Sequence, residues 1–202
     1  MDLWLFPSPL VLASKSEIRR AVLQAAGMPV EVRPADIDER AVERQAEAGD
    51  PAAAATLLAR EKARAVAVAM PGRVVVGADQ TLALGQQRFS KPRDRAGARA
   101  QLLALRGRRH GLHAAVAVVK DGEVLFAYCG TAFLTMRKFS DAFVDTYLDR
   151  VGDAALQSVG GYQLESAGIQ LFESVDGDHF TILGLPLMPL LDFFRGRGWL
   201  MA

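Results

Sequence analysis

The alternation of apolar and polar positions predicts a series of strands, one of which is central to the chain. Residues 74–84 begin with three consecutive valines, and a β-branched run of this kind is typical of a buried central strand. Two later β-rich runs flank Asp121-Gly122, which is a strong hairpin signal in that setting. The predicted strands are residues 10–14, 30–32, 74–84, 111–119, 123–136 and 169–173, with a further short strand after a turn at residues 176–178.

Stretches with helical spacing lie between these strands. Ser16 and Asp50 stand where a side-chain oxygen would cap a helix, and Pro51 suits a first helical position. The predicted helices run from Glu17 to Gly27, from Pro51 to about Met70, from Asp94 to about Gly107, from Ser140 to about Tyr147 and from Leu187 to Phe194. Early alternation of strands and helices, followed by a hairpin, predicts an α/β protein with a mixed, twisted sheet flanked by helices. Without a domain-scale linker, residues 1–202 are interpreted as one domain.

Composition then narrows the function classes. The chain has 202 residues, half of them hydrophobic, and a formal net charge of only +1. That balance argues against a protein that mainly coats nucleic acid or anionic membrane. Cys129 is the single cysteine, which excludes an internal disulfide. Charged residues interrupt the alanine-rich stretch 52–69, so it does not resemble a transmembrane helix. We therefore expect a soluble, cytoplasmic protein with no stable nucleic-acid or membrane partner.

The first sign of chemistry is a lone carboxylate, Asp79, that follows the three valines at once. A charge at the end of a buried strand is costly unless it has a partner or a role. Two lysines are candidates to accompany it. Pro92 keeps Lys91 out of helical geometry, and the neighbouring Glu61 does not face Lys62 across a helical turn. A simple surface ion pair is therefore not the obvious explanation of Lys62.

Two loops carry residues that are candidates for binding a phosphate or a metal ion. Ser14, Ser16, Arg19 and Arg20 lie at or near a predicted helix start, where free N–H groups, hydroxyls and guanidinium suit a phosphate. The alternative is an ordinary capped helix with solvated arginines, since neither a Walker loop nor a Rossmann fingerprint is present. The second loop clusters Asp36, Asp38 and Glu39. Such carboxylates are often only solvated, but they are also what a Mg²⁺ site that keeps most of its waters would use.

Four stretches, taken together, resemble the Maf family of nucleotide pyrophosphatases. They are L-A-S-K-S-E-I-R-R at 12–20, A-R-E-K-A at 59–63, G-A-D-Q at 77–80 with K-P at 91–92, and G-D-H-F-T-I-L-G-L-P-L at 177–187. The resemblance implies an elongated α/β fold with a cleft between two lobes, similar to inosine-triphosphate pyrophosphatases. It also implies hydrolysis of a nucleoside triphosphate to monophosphate and pyrophosphate, which is hydrolysis of an acid anhydride, with a divalent metal such as Mg²⁺ or Mn²⁺. A homodimer is a further expectation from the family.

The resemblance also implies roles for single residues. Asp79 resembles the catalytic acid/base. The residues that resemble the phosphate-binding set are Ser14, Arg19, Lys62 and Lys91. The residues that resemble metal- or water-binding carboxylates are Asp38, Glu39 and Asp79. From sequence, Asp79 remains either a metal ligand or the group that takes the proton of the attacking water.

Three positions bear on which base is accepted. Gln80 and Glu165 resemble the family branch that acts on 7-methyl-GTP more than the branch that acts on dTTP and UTP. A carboxylate can accept hydrogen bonds from N1–H and the N2 amino group of guanine, whereas uracil and thymine offer one N–H donor on that edge. Ile18 is a departure, because the 7-methyl-GTP branch has Trp there. The predicted base-specificity residues are Ile18, Gln80 and Glu165.

Two alternative functions stay open at this point. One is a non-catalytic, nucleotide-binding regulator of cell division, since the family name is linked to septum formation. The other is a generic phosphatase, which would release orthophosphate instead of pyrophosphate. An aimed carboxylate such as Asp79 favours catalysis over sensing.

Overall fold

The computed structural model describes residues 3–46 and 49–202. Its helices are α1 Glu17–Ala25, α2 Glu39–Glu43, α3 Pro51–Ala67, α4 Arg95–Leu105, α5 Asp141–Val151, α6 His179–Ile182 and α7 Leu187–Gly196. Its strands are β1 Leu10–Leu12, β2 Val30–Val32, β3 Val75–Leu84, β4 Gln87–Phe89, β5 Arg109–Lys120, β6 Glu123–Met136 and β7 Phe172–Asp176. Short 3₁₀ segments occupy Gly152–Leu156, Val159–Gly161 and Ala167–Leu171.

The strands form one mixed sheet in the order β2-β1-β3-β5-β6-β7, with β4 paired to β3. Strand β1 runs parallel to β2 and β3, whereas the pairs β3–β5, β5–β6 and β6–β7 are antiparallel. The α/β class with a mixed sheet flanked by helices is therefore confirmed. The valine-rich stretch is the central strand, as predicted, and the hairpin turns through Asp121-Gly122, between the paired residues Lys120 and Glu123.

Strand β3 is longer than its neighbours on one side. The register pairs it with β1 only at Val75 and Val76, and β4 begins to pair with it at Leu82. On that side, the described residues provide no strand partner for residues 77–81. We call this stretch the open edge of β3. It is the place where the sheet exposes main-chain groups that need other partners.

On one face of the sheet, two hydrophobic clusters meet at β3. Val74, Val76 and Ala78 belong to a cluster that includes β1, α1 and α7. Leu82 and Leu84 belong to another, which includes α4 and α5. The open edge lies where the strand passes from one cluster to the other, so residues there are held by packing on both sides.

Helix α3 covers the other face of the sheet at very close range. A Cβ at Gly77 would lie 2.1 Å from the carbonyl oxygen of Ala59 and 2.7 Å from the nitrogen of Ala63. Glycine at this position therefore lets the helix backbone approach the strand. This close approach sets the position of Lys62, which stands between the two alanines on α3. No helix in the described part of the chain is long and apolar enough to cross a membrane.

Some predicted elements differ from the structure. The short strand predicted after residue 178 was wrong, because α6 forms there, with Asp178 accepting a hydrogen bond from the Thr181 amide. Residues 179–182 alternate polar and apolar as a strand would, but four residues are too few for periodicity to distinguish a strand from a helix. The strand predicted at 169–173 lies later, at Phe172–Asp176, after a 3₁₀ segment. The acidic loop contains α2, and the β3–β4 hairpin was not predicted.

Candidate functional site

The open edge of β3 is closed by a guanidinium group. The carbonyl of Val76 accepts a hydrogen bond from the Ala13 amide at 2.8 Å. Two residues further on, the carbonyl of Ala78 faces the same side and accepts from Nη1 of Arg19, also at 2.8 Å. Arg19 thus takes the place of the backbone amide that a longer β1 would have donated to this carbonyl. This satisfies a buried strand carbonyl without blocking the edge with another strand.

Arg19 is fixed at two further points. Its Nε donates to the Gly184 carbonyl at 2.8 Å, and its Nη1 also donates to the Ser14 hydroxyl at 3.1 Å. Burial lowers the pKa of Arg19, while the charges of Asp79 and Glu39 act in the opposite direction. Within residues 3–46 and 49–202, no hydrogen bond engages Nη2. A buried guanidinium with two N–H groups left to donate suits an anion.

Asp79 and Lys62 form the centre of the site. The Lys62 ammonium lies 2.6 Å from the Asp79 carboxylate and 2.8 Å from that of Glu39. Only 9% of Asp79 is exposed. Burial raises the pKa of Asp79 above its usual range, although the positive charges of Lys62 and Arg19 oppose that rise. A carboxyl group whose pKa moves toward neutrality is suited to take up and release a proton.

Lys91 is exposed and lies within electrostatic reach of the same group. Partial burial lowers the pKa of Lys91, and the positive charges of Arg19 and Lys62 lower it further. The carboxylates of Glu39 and Asp79 act in the opposite direction, so Lys91 lies close enough to feel all four charged groups. The preceding residue is held in place because Gln101 donates to the Ser90 carbonyl at 2.8 Å. An anion with several negative charges would relieve the repulsion among Lys91, Arg19 and Lys62.

Gln80 faces the opposite side of the strand from Asp79. Its Nε2 donates to the carbonyls of Thr181 and Ile182 at 3.1 and 2.9 Å. Helix α6 is thereby fastened to the open edge. Sequence reasoning did not assign roles to Thr181, Ile182 or Gly184, because each contributes a main-chain carbonyl. The only available signal was that these residues lie in the fourth motif.

Three predicted site residues are not bonded to this group. Asp38 caps α2 by accepting from the Ala41 amide at 3.0 Å. Ile18 is partly buried and packs against the cluster of β1 and α7. Glu165 is exposed in a turn, and no ion pair joins it to another residue in the described part of the chain. Their predicted roles stay predictions.

The described residues contain no cluster of three or more His, Cys, Asp or Glu side chains that could hold a metal ion. Asp79 and Glu39 nevertheless approach each other through Lys62. One or two carboxylates, together with waters and substrate phosphates, are the usual protein share of a Mg²⁺ site. The donor set therefore fits a divalent cation that binds together with an anionic substrate.

Comparison with known proteins places these motifs in a family. A family model described as Maf-like protein matches residues 9–197. A protein from Rhodopseudomonas palustris strain BisB18, named nucleoside triphosphate pyrophosphatase, is 54% identical over 195 residues, covering 96% of each chain. A Rhizobium etli protein named 7-methyl-GTP pyrophosphatase is 48% identical over 191 residues, covering 94% of this chain and 96% of its own.

Two solved structures show weaker likeness. The Staphylococcus aureus Ham1 protein has a TM-score of 0.42 at 19% identity, covering 64% of this chain and 72% of its own. A dITP/XTP pyrophosphatase from Mycobacterium abscessus has a TM-score of 0.40 at 18% identity, covering 94% of each chain.

Proposed function

Because this chain belongs to the Maf-like protein family, we propose that it hydrolyses a nucleoside triphosphate to a nucleoside monophosphate and pyrophosphate. The observation that carries the proposal is the Asp79–Lys62 pair beside Arg19 at the open edge of β3. This pair combines a proton acceptor with cations. Several relatives that are more than half identical to this chain are named nucleoside triphosphate pyrophosphatases, which supports the same reaction class.

The cations bind the triphosphate in this mechanism. Arg19 offers the free side of its fork through Nη2, and Lys62 and Lys91 act as point charges. The Ser14 hydroxyl, which already contacts Arg19, adds a donor at the start of α1. When phosphate oxygens draw the Lys62 ammonium toward themselves, the Asp79 carboxylate loses its 2.6 Å partner. Substrate binding thus frees the carboxylate for chemistry.

Asp79 then acts as the general base. A water molecule attacks the α-phosphorus in line with the bond to the β-phosphate, and Asp79 accepts the proton of that water. The new bond joins the water oxygen to the α-phosphorus, and the α–β bridging bond breaks, so pyrophosphate leaves with the electron pair. Catalysis of this kind depends mainly on positioning and on stabilising charge.

A divalent cation, Mg²⁺ or Mn²⁺, is part of the proposal. Glu39 and one carboxylate oxygen of Asp79 would hold it, which leaves the second oxygen of Asp79 to accept the proton. Asp38 supports Glu39 by capping the short helix on which Glu39 lies. When bound, such an ion neutralises phosphate charge and lowers the pKa of the attacking water. Glu39 is more than half exposed, so it is free to turn from Lys62 toward a cation.

For the base, we propose 7-methyl-GTP or a similarly modified purine nucleotide. Glu165 carries an exposed negative charge that would accept from N1–H and N2 of guanine. Methylation at N7 makes the base cationic, which adds attraction to the same carboxylate. The name of the Rhizobium etli relative supports this choice. Ile18 lacks the aromatic face that would favour a cationic base by cation–π attraction, so Glu165 carries the discrimination here.

A substrate panel tests both parts of the proposal. Pyrophosphate and orthophosphate release are measured with Mg²⁺ from 7-methyl-GTP, GTP, UTP, dTTP and CTP. Pyrophosphate as product, abolished by EDTA, is expected. Orthophosphate as sole product would establish a generic phosphatase, and binding without turnover would establish a regulator.

The Glu165→Gln variant should lower the preference for 7-methyl-GTP over UTP. The control is Glu173→Gln, which changes an exposed carboxylate on β7 and should leave that preference unchanged. An unchanged preference in Glu165→Gln would contradict the specificity proposal.

A further inference from the structure

Residues 178–184, which we call the α6 turn, connect two predicted site residues that do not touch each other through a direct hydrogen bond. Gln80 donates to its carbonyls at Thr181 and Ile182. The carbonyl of Gly184, at its other end, accepts from Nε of Arg19 at 2.8 Å. A path of hydrogen bonds therefore runs from the open edge of β3 through the α6 turn to the guanidinium.

The amide of Gln80 is fully engaged as a donor in this path. A side-chain amide has two N–H groups, and both carbonyl acceptors lie within 3.1 Å of Nε2. Only the amide oxygen remains, and it lies 3.5 Å from the position of a Cβ on Gly184. Gln80 is thus oriented toward the α6 turn, and its N–H groups are not free to read a base.

Gly184 brings the turn into contact with Arg19. Its φ is +88°, a conformation that side chains rarely adopt. A Cβ at this position would lie 3.2 Å from Nη2 and 3.3 Å from Nε of Arg19. Nη2 is the nitrogen that the proposed mechanism assigns to the phosphates. Any side chain here would press on the part of the guanidinium that faces the substrate.

The far end of the α6 turn is anchored to the sheet. The Asp178 carboxylate accepts from the amide and the hydroxyl of Thr181 at 2.7 and 2.9 Å. Thr181 is buried, and it packs so closely on β6 that a Cβ at Gly130 would lie 2.7 Å from its hydroxyl. These contacts fix the start of the turn, and Gln80 fixes its carbonyl end. The Gly184 amide donates to the same Thr181 carbonyl at 3.0 Å, so a displacement of that carbonyl reaches Gly184 directly.

We propose that Gln80 and Gly184 are positioning residues that aim Nη2 of Arg19 at the triphosphate. Gln80 sets the α6 turn, and Gly184 sets the guanidinium. This inference rests on the proposed placement of phosphates at Arg19. It assigns Gln80 an effect on phosphate binding that is the same for every base, in place of the base-reading role that the family resemblance implies.

The test uses a ligand without a base. Binding of inorganic tripolyphosphate with Mg²⁺ is measured by calorimetry for the parent protein and for Gln80→Met and Gly184→Ala. We expect each variant to bind about tenfold more weakly, since a misaligned hydrogen bond to a charged partner loses part of its strength. Gly122→Ala is the matched control, because Gly122 has a φ of +82° with nothing within 4 Å of the added Cβ. It should bind tripolyphosphate like the parent.

A double-mutant cycle separates positioning from general destabilisation. In an Arg19→Ala background, Gln80→Met and Gly184→Ala should change tripolyphosphate affinity less than twofold, because the residue they act on is gone. The ratio of kcat/KM values between purine and pyrimidine triphosphates should stay unchanged in Gln80→Met. An altered ratio with normal tripolyphosphate binding would overturn the inference and restore base reading. The inference would also be overturned if Gln80→Met and Gly184→Ala lowered tripolyphosphate affinity by the same factor in the Arg19→Ala background.

Binding is measured without turnover, so the two proposals fail separately. A parent protein that binds tripolyphosphate through Arg19 but releases no pyrophosphate would contradict the proposed function and leave the positioning intact. A parent protein that releases pyrophosphate but does not bind tripolyphosphate through Arg19 would overturn the positioning alone.

Discussion

The Asp79→Asn substitution tests the centre of the site most directly. The change removes one negative charge and one proton-accepting oxygen while keeping the shape of the side chain. Asp79 is 9% exposed, and its carboxylate is bonded to Lys62 at 2.6 Å. An asparagine oxygen can still accept from Lys62, and Glu39 remains 2.8 Å from that ammonium. The cation therefore keeps a charged partner in the variant, and we expect no local collapse.

The expected loss of activity follows from the role of a general base. Such a group contributes roughly 10²–10⁴-fold to a rate. We therefore expect kcat to fall at least about 100-fold, which corresponds to about 2.7 kcal/mol of transition-state stabilisation. The parent kcat/KM should also show an acid limb at higher pH than an ordinary carboxylate would give, because burial raises the pKa of Asp79. That limb should be absent from the residual activity of the variant.

The Asp79→Asn substitution should not lower stability, although it lowers activity. A carboxyl group whose pKa is raised by folding is held preferentially as the neutral acid, so its ionised form opposes folding above the raised pKa. An amide resembles the neutral acid. The Asp79→Asn variant should therefore unfold at the same or a higher temperature at neutral pH, with the difference shrinking as the pH falls through the carboxyl range.

The assay combines pyrophosphate release against pH with thermal unfolding of the same samples. Asp149→Asn is the control. Asp149 is exposed, and among the described residues it pairs only with Arg95, at the surface, where ion pairs contribute little. It should match the parent in both measurements. A near-parental rate in Asp79→Asn would refute the general-base assignment, and a large fall in both rate and stability would show that Asp79 serves the fold.

Three further predictions follow from single contacts. Lys62→Met should move the acid limb of kcat/KM to higher pH, because the loss of the positive charge raises the pKa of Asp79 further; an unmoved limb would contradict their coupling. His110 is buried against Tyr162, and burial lowers its pKa to about 4, so protonation favours the unfolded state. The free energy of unfolding, measured with urea, should fall by about 3 kcal/mol between pH 7.5 and pH 4 because of this group, and in His110→Gln the fall should be smaller by that amount. Gly77→Ala should destabilise by about 3 kcal/mol and lower activity, whereas Gly196→Ala, with open space around it, should do neither.

The sequence predicted those parts of the fold that depend on local chemistry. The valine run became β3, Asp121-Gly122 became the hairpin turn, and Asp50 capped α3 as expected. Elements whose identity depends on distant packing were missed. Helix α6 is four residues long, and its position is decided by Thr181 against Gly130, a contact across more than fifty residues that periodicity cannot reveal.

The candidate site shows the same division. Asp79 became a candidate because a charge at the end of a buried strand is rare enough to attract notice, and Lys62 and Arg19 became candidates mainly through the family motifs. Their partners were not identified, because Ala78 and Gly184 contribute only carbonyl oxygens. Every residue has such a group, so no residue type signals its use.

The location of the site follows from where β1 ends. Because β1 pairs no further than Val76, the next carbonyl on that side, at Ala78, must find its donor elsewhere, and Arg19 provides it from the first turn of α1. Together with the bonds to Gly184 and Ser14, this hydrogen bond holds the guanidinium beside Asp79. A β1 longer by two residues would pair with Ala78 through its own amides and leave Arg19 without this anchor. The gap in the sheet therefore gives Arg19 its place beside the Asp79–Lys62 pair, and the four motifs, far apart in sequence, are the segments that border it.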